Sequence, residues 1–373
     1  MKSIKAIRNL KGKKVIVRVD FNVPINKGKI LDDFRIKKAV PTISFLSKKG
    51  ARVILIAHVG NEGTETLKPI AVRLKKYVKN AGFIGTPLVS EKTAKALEKM
   101  KNGDVVLLEN LRQDKGEKAN DPLFAKALAS YADMYVNDAF SVSHRGHASV
   151  VGIPSYIPGF AGLQLQDEVK HLSKAFKPAH PFLFILGGAK FDTKIPLVKK
   201  FLAHADTVFI GGALMNDFFK DEGLKTGKSL VDAGDFHLAN LMKHKNLMLP
   251  TDVEVFDGTR HRMTQISDIR KNEMTVDIGP ETIKALGEKV AQAKFILWNG
   301  PLGRYEAGFA EATAKVLKLV AKSKAVSVVG GGDTVAEINT LKLEKKLSFV
   351  STGGGATLDY LALGTLPGID ALT

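Results

Sequence analysis

Short β-branched apolar runs alternate with amphipathic, helix-periodic stretches from one end of the chain to the other, a rhythm that predicts α/β architecture built on parallel sheets. In the first half the strand candidates are Val15–Val19, Val53–His58, Val105–Glu109 and a segment near Tyr135–Asn137, with helical patterns such as Leu67–Lys79 and Pro122–Tyr131 between them. In the second half they are Phe182–Leu186, Thr207–Ile210, Phe295–Trp298, Ala325–Val329 and Ser348–Val350. Nearly all of these are continuous apolar runs, as expected of strands buried on both faces.

A chain of 373 residues, 45% of them hydrophobic, is long for one compact unit, so two domains are expected. The boundary is placed at the Gly/Pro-rich stretch Ile153 to Gly162, giving residues 1–161 and 182–362 as domains and 162–181 as an interdomain helix and hinge. There is no cysteine, which excludes disulfides and thiolate metal sites and fits a reducing compartment. The N-terminus runs straight into charged sequence, and no apolar run is long enough to span a membrane, so a cytoplasmic protein is expected. The net charge of +18 is lopsided. Residues 1–160 carry 29 Lys+Arg against 14 Asp+Glu, and residues 161–373 carry 27 against 24. A basic first half beside a nearly neutral second suits small phosphorylated acids. The lysines are dispersed and not interleaved with stacking aromatics, so no specific nucleic-acid partner is expected.

Four strands of the second half end in glycine clusters: Gly187-Gly188, Gly211-Gly212, Gly330-Gly331-Gly332 and Gly353-Gly354-Gly355. At the carboxyl end of a parallel strand, such a turn lets backbone approach a phosphate while the next helix offers unpaired N–H groups. One cluster is weak evidence, because tight strand-helix turns use glycine anyway; four along one edge point to a polyphosphate. Gly223-Leu224-Lys225-Thr226-Gly227-Lys228-Ser229 imitates a phosphate-binding P-loop, but its glycines are one residue too close and no strand precedes it. The glycine runs also lack the spacing of a dinucleotide fold. Lys190 and Lys194 lie four apart after the first cluster and share a helix face, where both could meet one phosphate. Asp333, at a predicted helix start, is either an ordinary cap or a holder of Mg²⁺.

In the basic half, Arg18, Asp20 and Asn22 follow the first strand, His58 the second, Arg112 the third, and His144, Arg145 and His147 the fourth. Arg35 sits near a helix start, where a cation opposes the dipole unless an anion is present. Arginine forks suit carboxylate and phosphate, although Arg18 reads better as a structural ion-pair partner. His144 and His147 lack a third ligand, which argues against zinc.

The segments Arg18-Val19-Asp20-Phe21-Asn22-Val23-Pro24, Asp33-Phe34-Arg35-Ile36, Leu108-Glu109-Asn110-Leu111-Arg112, His144-Arg145-Gly146-His147-Ala148-Ser149, Gly187-Gly188-Ala189-Lys190, Trp298-Asn299-Gly300-Pro301, Gly331-Gly332-Asp333-Thr334 and Ser351-Thr352-Gly353-Gly354-Gly355 resemble those of the phosphoglycerate kinases, in order and over nearly the whole chain. The resemblance implies a bilobed pair of Rossmann-like, doubly wound domains joined by a hinge, with residues 363–373 packing back on the first. It also implies a monomeric enzyme of the cytoplasm that moves a phosphoryl group between MgATP or MgADP and 3-phosphoglycerate or 1,3-bisphosphoglycerate. Carried over by position, Asp20, Phe21, Asn22, Arg35, His58, Arg112 and Arg145 would hold the acid, with Arg35 and Lys190 catalytic. Lys190 and Lys194 would meet phosphates, Gly211 and Gly212 the adenine, Glu306 the ribose, Gly331, Gly332 and Thr334 the phosphates, and Asp333 the Mg²⁺. The chain departs from the family pattern at Asn61 and Glu62, where arginine and proline are usual, at Arg304-Tyr305 before Glu306, and at Asp359. The first departure removes a cation expected on the acid. A non-catalytic nucleotide-binding protein on the same scaffold is the alternative reading.

Overall fold

The computed structural model describes residues 1–234, 236 and 238–373. The chain divides into two compact units, Met1–Lys170 with Leu363–Thr373, and His171–Ala362.

The first unit is built on a six-stranded, all-parallel sheet in the order Ala81–Ile84, Val105–Leu108, Arg52–Ile56, Lys14–Arg18, Met134–Asn137, Gly159–Ala161. Val15, Ile16 and Val17 are all fully buried, as are Val53, Ile54 and Leu55, so both faces of the central strands are covered. That is why these strands are unbroken apolar runs rather than alternating ones. The amphipathic helix Phe34–Lys48 packs on one face through Ile36, Ile43 and Leu46. The Gly/Pro-rich stretch read from sequence as a boundary carries the sixth strand, and the helix Leu163–Leu172 follows it. Asp138 starts that helix: its Oδ1 accepts from Gln164 N at 2.9 Å, and burial pushes its carboxyl up to about 8.

The second unit repeats the plan, in the order Leu247–Met248, Thr207–Ile210, Phe182–Leu186, Phe295–Asn299, Val326–Gly330, Phe349–Val350, again all parallel. A separate antiparallel sheet of Asp252–Phe256, His261–Gln265 and Met274–Ile278 was not foreseen. Its strand His261–Gln265 is largely exposed and polar, so no apolar run marks it. The P-loop imitation is a loop after the helix Leu214–Asp221. Lys228 N donates to Glu273 O at 2.7 Å there, so the segment braces the small sheet.

In both large sheets the chain works outward on one side of an early strand and then returns to the other. The reversal falls between Lys14–Arg18 and Met134–Asn137 in the first unit, and between Phe182–Leu186 and Phe295–Asn299 in the second. Loops at the carboxyl ends of such a strand pair diverge and leave a crevice, where open α/β sheets bind ligands.

The returning segment is fastened to the first unit. Gly368 N donates to Ser143 O at 2.8 Å, Asn137 Nδ2 donates to Gly368 O at 3.1 Å, and Leu366 and Leu372 are buried. A Cβ at position 368 would lie 2.6 Å from Val150 Cγ1 and 3.0 Å from Ser143 Cα. Gly368→Val should therefore lower stability by about 1–3 kcal/mol through overpacking. Urea titration of the variant checks this, and an unchanged midpoint would mean that the segment is not docked as described.

Candidate active site

The crevice of the first unit is lined by cations. Asp20 follows the strand Lys14–Arg18 and acts as the organising carboxylate: its Oδ2 accepts from Arg35 Nη1 at 2.7 Å and from Ser141 Oγ at 2.6 Å, and its Oδ1 accepts from Asn22 N at 3.1 Å. Asn22 Oδ1 in turn accepts from Gly60 N at 3.1 Å, tying the first strand-end loop to the loop after His58. Arg35 thus begins its helix with a counter-charge in place. Arg112 Nη1 donates to Gly60 O and to Asn61 Oδ1, the latter at 2.9 Å. Neither Arg112 nor Arg145 has a carboxylate partner among the described residues. Burial and then Arg145 lower the Arg112 pKa, the expected direction for a cation crowded by another. His58 is buried, and burial with the fields of Arg18, Arg112, Arg145 and Arg35 drives its pKa far down, so the ring is neutral. Phe21 is fully buried in the core, so only its backbone could face a ligand.

The second unit holds an open cavity of about 700 Å³ at its own crevice, within the range of small-ligand sites. Gly188, Lys190, Gly212, Glu306 and Asp333 line it, with Met215, Leu230 and Val276 forming an apolar part. Lys190 sits at the start of the helix Phe191–Leu202 with a φ of 65°, a left-handed conformation that non-glycine residues rarely adopt. Lys194, one turn on, is buried, and its Nζ donates to Gly187 O at 2.6 Å. Burial, reinforced by Lys190 and opposed by Asp333, lowers its pKa to about 8. Asp333, in the first turn of Gly332–Thr340, is raised by burial and by Glu306.

The glycine clusters divide into two kinds. A Cβ on Gly187 would strike the Pro301 carbonyl, and one on Gly212 the Gly188 backbone, so these glycines let adjacent loops pack backbone to backbone. A Cβ on Gly332, Gly354 or Gly355 would meet nothing within 4 Å, so those positions border open space. A Cβ on Gly211 would meet side chains instead, Leu302 Cδ2 at 3.0 Å and the Phe209 ring at 3.2 Å. Thr334 Oγ1 and Asn299 Nδ2 are buried beside these loops without a hydrogen-bond partner. Such atoms are costly unless a ligand completes them, and both can donate to phosphate oxygens. No cluster of three His, Cys, Asp or Glu that could hold a metal occurs among the described residues. A cation at Asp333 would therefore need oxygens from the ligand it accompanies, as Mg²⁺ on a polyphosphate does.

The sequence model of the family described as phosphoglycerate kinase matches residues 4–363. The chain belongs to the phosphoglycerate kinase family. A phosphoglycerate kinase of Dictyoglomus turgidum is 44% identical, over 98% of this chain and 96% of its own. One of Clostridium botulinum is 42% identical, over 100% and 98%. The solved phosphoglycerate kinase of Coxiella burnetii superposes with a TM-score of 0.84 at 36% identity over 99% and 98% of the two chains. That of Pyrococcus horikoshii OT3 gives 0.89 at 28% identity over 100% and 98%. The activity that goes with this family is phosphoryl transfer.

Sequence reasoning missed Ser141 and Asn299 as site residues. Ser141 is one serine among several near its strand end, and only the fold shows that it meets Asp20. Asn299 stands in a segment that itself resembles phosphoglycerate kinases, but its orphaned amide shows only in the structure.

Lys194 would make an anion site here pH-dependent, with the direction set by its lowered pKa. Its folded pKa is depressed to about 8, so it is charged below that pH and loses its charge above. Affinity for tripolyphosphate should fall as pH rises through about 8, with proton uptake on binding in that range, and Lys194→Met should weaken binding and flatten the profile. Calorimetry in two buffers of different ionisation enthalpy measures the uptake. A wild-type profile with no inflection there would remove Lys194 from the site.

Proposed function

We propose that this chain catalyses reversible transfer of a phosphoryl group between MgATP and the carboxylate of 3-phosphoglycerate, giving 1,3-bisphosphoglycerate and MgADP. The observation that carries the reading is the pair of anion sites at the two crevices. One gathers Arg112 and Arg145, which have no carboxylate partner among the described residues, beside Arg35 on Asp20, and the other has glycine loops with two unpartnered donors, Thr334 Oγ1 and Asn299 Nδ2.

The acceptor chemistry accounts for the composition of the first site. A carboxylate has a reference pKa of about 3.5–4 and is already ionised at neutral pH, so no general base is required. The barrier lies in bringing two anions together and in the charge on the transferring group, which fixed cations and positioning relieve. Asp20, Asn22, Arg35, His58, Arg112 and Arg145 hold the acid, with the Phe21 backbone beside them. Arg35 and Lys190 stabilise the transferring group. Lys194, Gly331, Gly332 and Thr334 hold nucleotide phosphates, Gly211 and Gly212 border the base, and Glu306 takes the ribose. Asp333 would hold Mg²⁺, which when bound neutralises charge on the phosphates. Acid and nucleotide must be brought into line with water excluded, and we assign residues 153–181 to that closure. The enzyme acts as a monomer in the cytoplasm.

ATP turnover with and without 3-phosphoglycerate is the deciding assay. Turnover that depends on the acid is expected, and nucleotide binding without it would favour the non-catalytic alternative. Arg35→Ala and Lys190→Ala should each lower kcat by at least ~10²-fold with circular dichroism unchanged. Near-normal rates in both would defeat the residue assignments. Asn61→Arg should lower the Michaelis constant for 3-phosphoglycerate, since it adds a cation and frees Arg112 from the Asn61 side chain. An unchanged constant would show that Asn61 has no bearing on the acid.

A further inference from the structure

Behind the acid-binding loops of the first unit lies a buried chain of polar groups in a fixed order of donors and acceptors. Glu117, 1% exposed, accepts from Ser149 N at 2.9 Å and, through its other oxygen, from Ser149 Oγ at 2.6 Å. Ser149 Oγ, having given its proton to Glu117, accepts from Arg18 Nε at 2.9 Å. Arg18, also 1% exposed, donates through Nη1 to Val19 O at 2.5 Å and places Nη2 2.9 Å from His58 Nδ1. A guanidinium has no acceptor. The Arg18–His58 contact is a hydrogen bond only if Nδ1 carries the lone pair, and then Nε2 carries the proton.

We infer that Arg18 is a positioning residue that fixes His58 in its neutral Nε2–H tautomer, so that the ring nitrogen not held by Arg18 is a donor and never a lone pair. The consequence for the proposed reaction, on which its functional meaning rests, is electrostatic. A lone pair facing an anionic substrate would repel it, whereas a neutral N–H attracts it. Unlike Arg35, Arg112 and Arg145, Arg18 is too deeply buried and too fully engaged to be a ligand itself. Glu117 and Ser149 are part of the same device, because they hold the Arg18 fork from the far side.

Nitrogen NMR of the full chain labelled with ¹⁵N in its histidine rings tests this, with the His58 signals assigned by their loss in His58→Asn. In the wild type, Nδ1 should resonate as an unprotonated ring nitrogen and Nε2 as a protonated one, unchanged from about pH 5 to 9. An Nδ1–H tautomer, or a ring that titrates in that range, overturns the inference without any substitution. Arg18→Met should release the ring into a mixture of tautomers. It should also raise the Michaelis constant for 3-phosphoglycerate by about 10-fold with kcat within about 3-fold, a split that general unfolding would not give. A single Nε2–H tautomer persisting in that variant would also overturn it. Where Arg18→Met does not fold, Ser149→Ala, which removes the acceptor for Arg18 Nε, replaces it with the same expectations in smaller measure. The tautomer is read without substrate, so it stands apart from the assignment of the acid. Movement of the Nε2–H signal on adding 3-phosphoglycerate tests that assignment separately.

Discussion

Gly188 N–H donates to the Pro301 carbonyl at 2.7 Å, and Gly212 N–H donates to the Leu302 carbonyl at 2.9 Å. Gly187 N–H reaches Asn299 O at 2.9 Å, and Gly300 N–H reaches Gly330 O at 3.3 Å. These bonds tie the carboxyl-end loops of four adjacent strands into one backbone surface, and they need the bare Cα of Gly187, Gly212 and Gly300 because a Cβ there would occupy the neighbouring main chain. The site proposed for the polyphosphate stands on this surface. Lys194 is anchored to it, its Nζ on Gly187 O, while Gly332, Gly354 and Gly355 border open space. A side chain added at Gly187, Gly212 or Gly300 would move several loops together, whereas one added at Gly332 would meet no neighbour within 4 Å.

The first unit answers the same demand, an anion between diverging loops, by different means. Gly63 packs on the Arg112 main chain there, but the crevice relies mainly on cationic side chains aimed by a few acceptors: Asp20 for Arg35, the Gly60 carbonyl and Asn61 for Arg112, and the Glu117–Ser149 pair for Arg18. Burying a guanidinium is expensive without compensation, and Arg18 is compensated by three directed hydrogen bonds and the nearby charge of Glu117. Arg112 has only carbonyl-type acceptors and no carboxylate, so part of its charge remains available to an incoming anion. The lopsided net charge of the sequence has its local counterpart here, although most of the lysines that produce it are far from the crevice and simply solvated.

Much of this was legible beforehand, and the exceptions have physical causes. Phe182–Leu186 and Thr207–Ile210 were placed to the residue because strands buried on both faces announce themselves as apolar runs. Ala81–Ile84 was missed because Gly82, Gly85 and Pro87 around it signal turns, and Gly159–Ala161 because three residues among glycine and proline carry no period. The residues of both crevices could be named from motif order, since each follows a recognisable strand. What a linear pattern could not supply was partnership. Nothing in the sequence pairs Asp20 with Ser141, 121 positions away, or shows that Asn61 takes up Arg112 rather than merely replacing an arginine. The four glycine clusters were read together as one nucleotide-binding edge, Gly211 and Gly212 for the adenine and the others for phosphates, and only the contacts a Cβ would make separate those that pack loops from those that leave room.

The histidines complete the electrostatic argument. Beside the acid crevice, His58 is held neutral by burial and surrounding arginines, and His147, 3.7 Å from Glu117, is lowered to about 4 by burial and then Arg145. Neither changes charge in the range where histidine ordinarily titrates. A reaction that needed a base would require a group poised near that range. A reaction whose acceptor is already a carboxylate needs no such group, and neither of these two histidines supplies one. In the second crevice Lys194 is lowered to about 8 by burial, and Asp277, packed against the cavity-lining Gly303, is raised to about 7 by burial. On the proposed reading the first crevice recognises its ligand by side-chain charge and the second mainly by backbone.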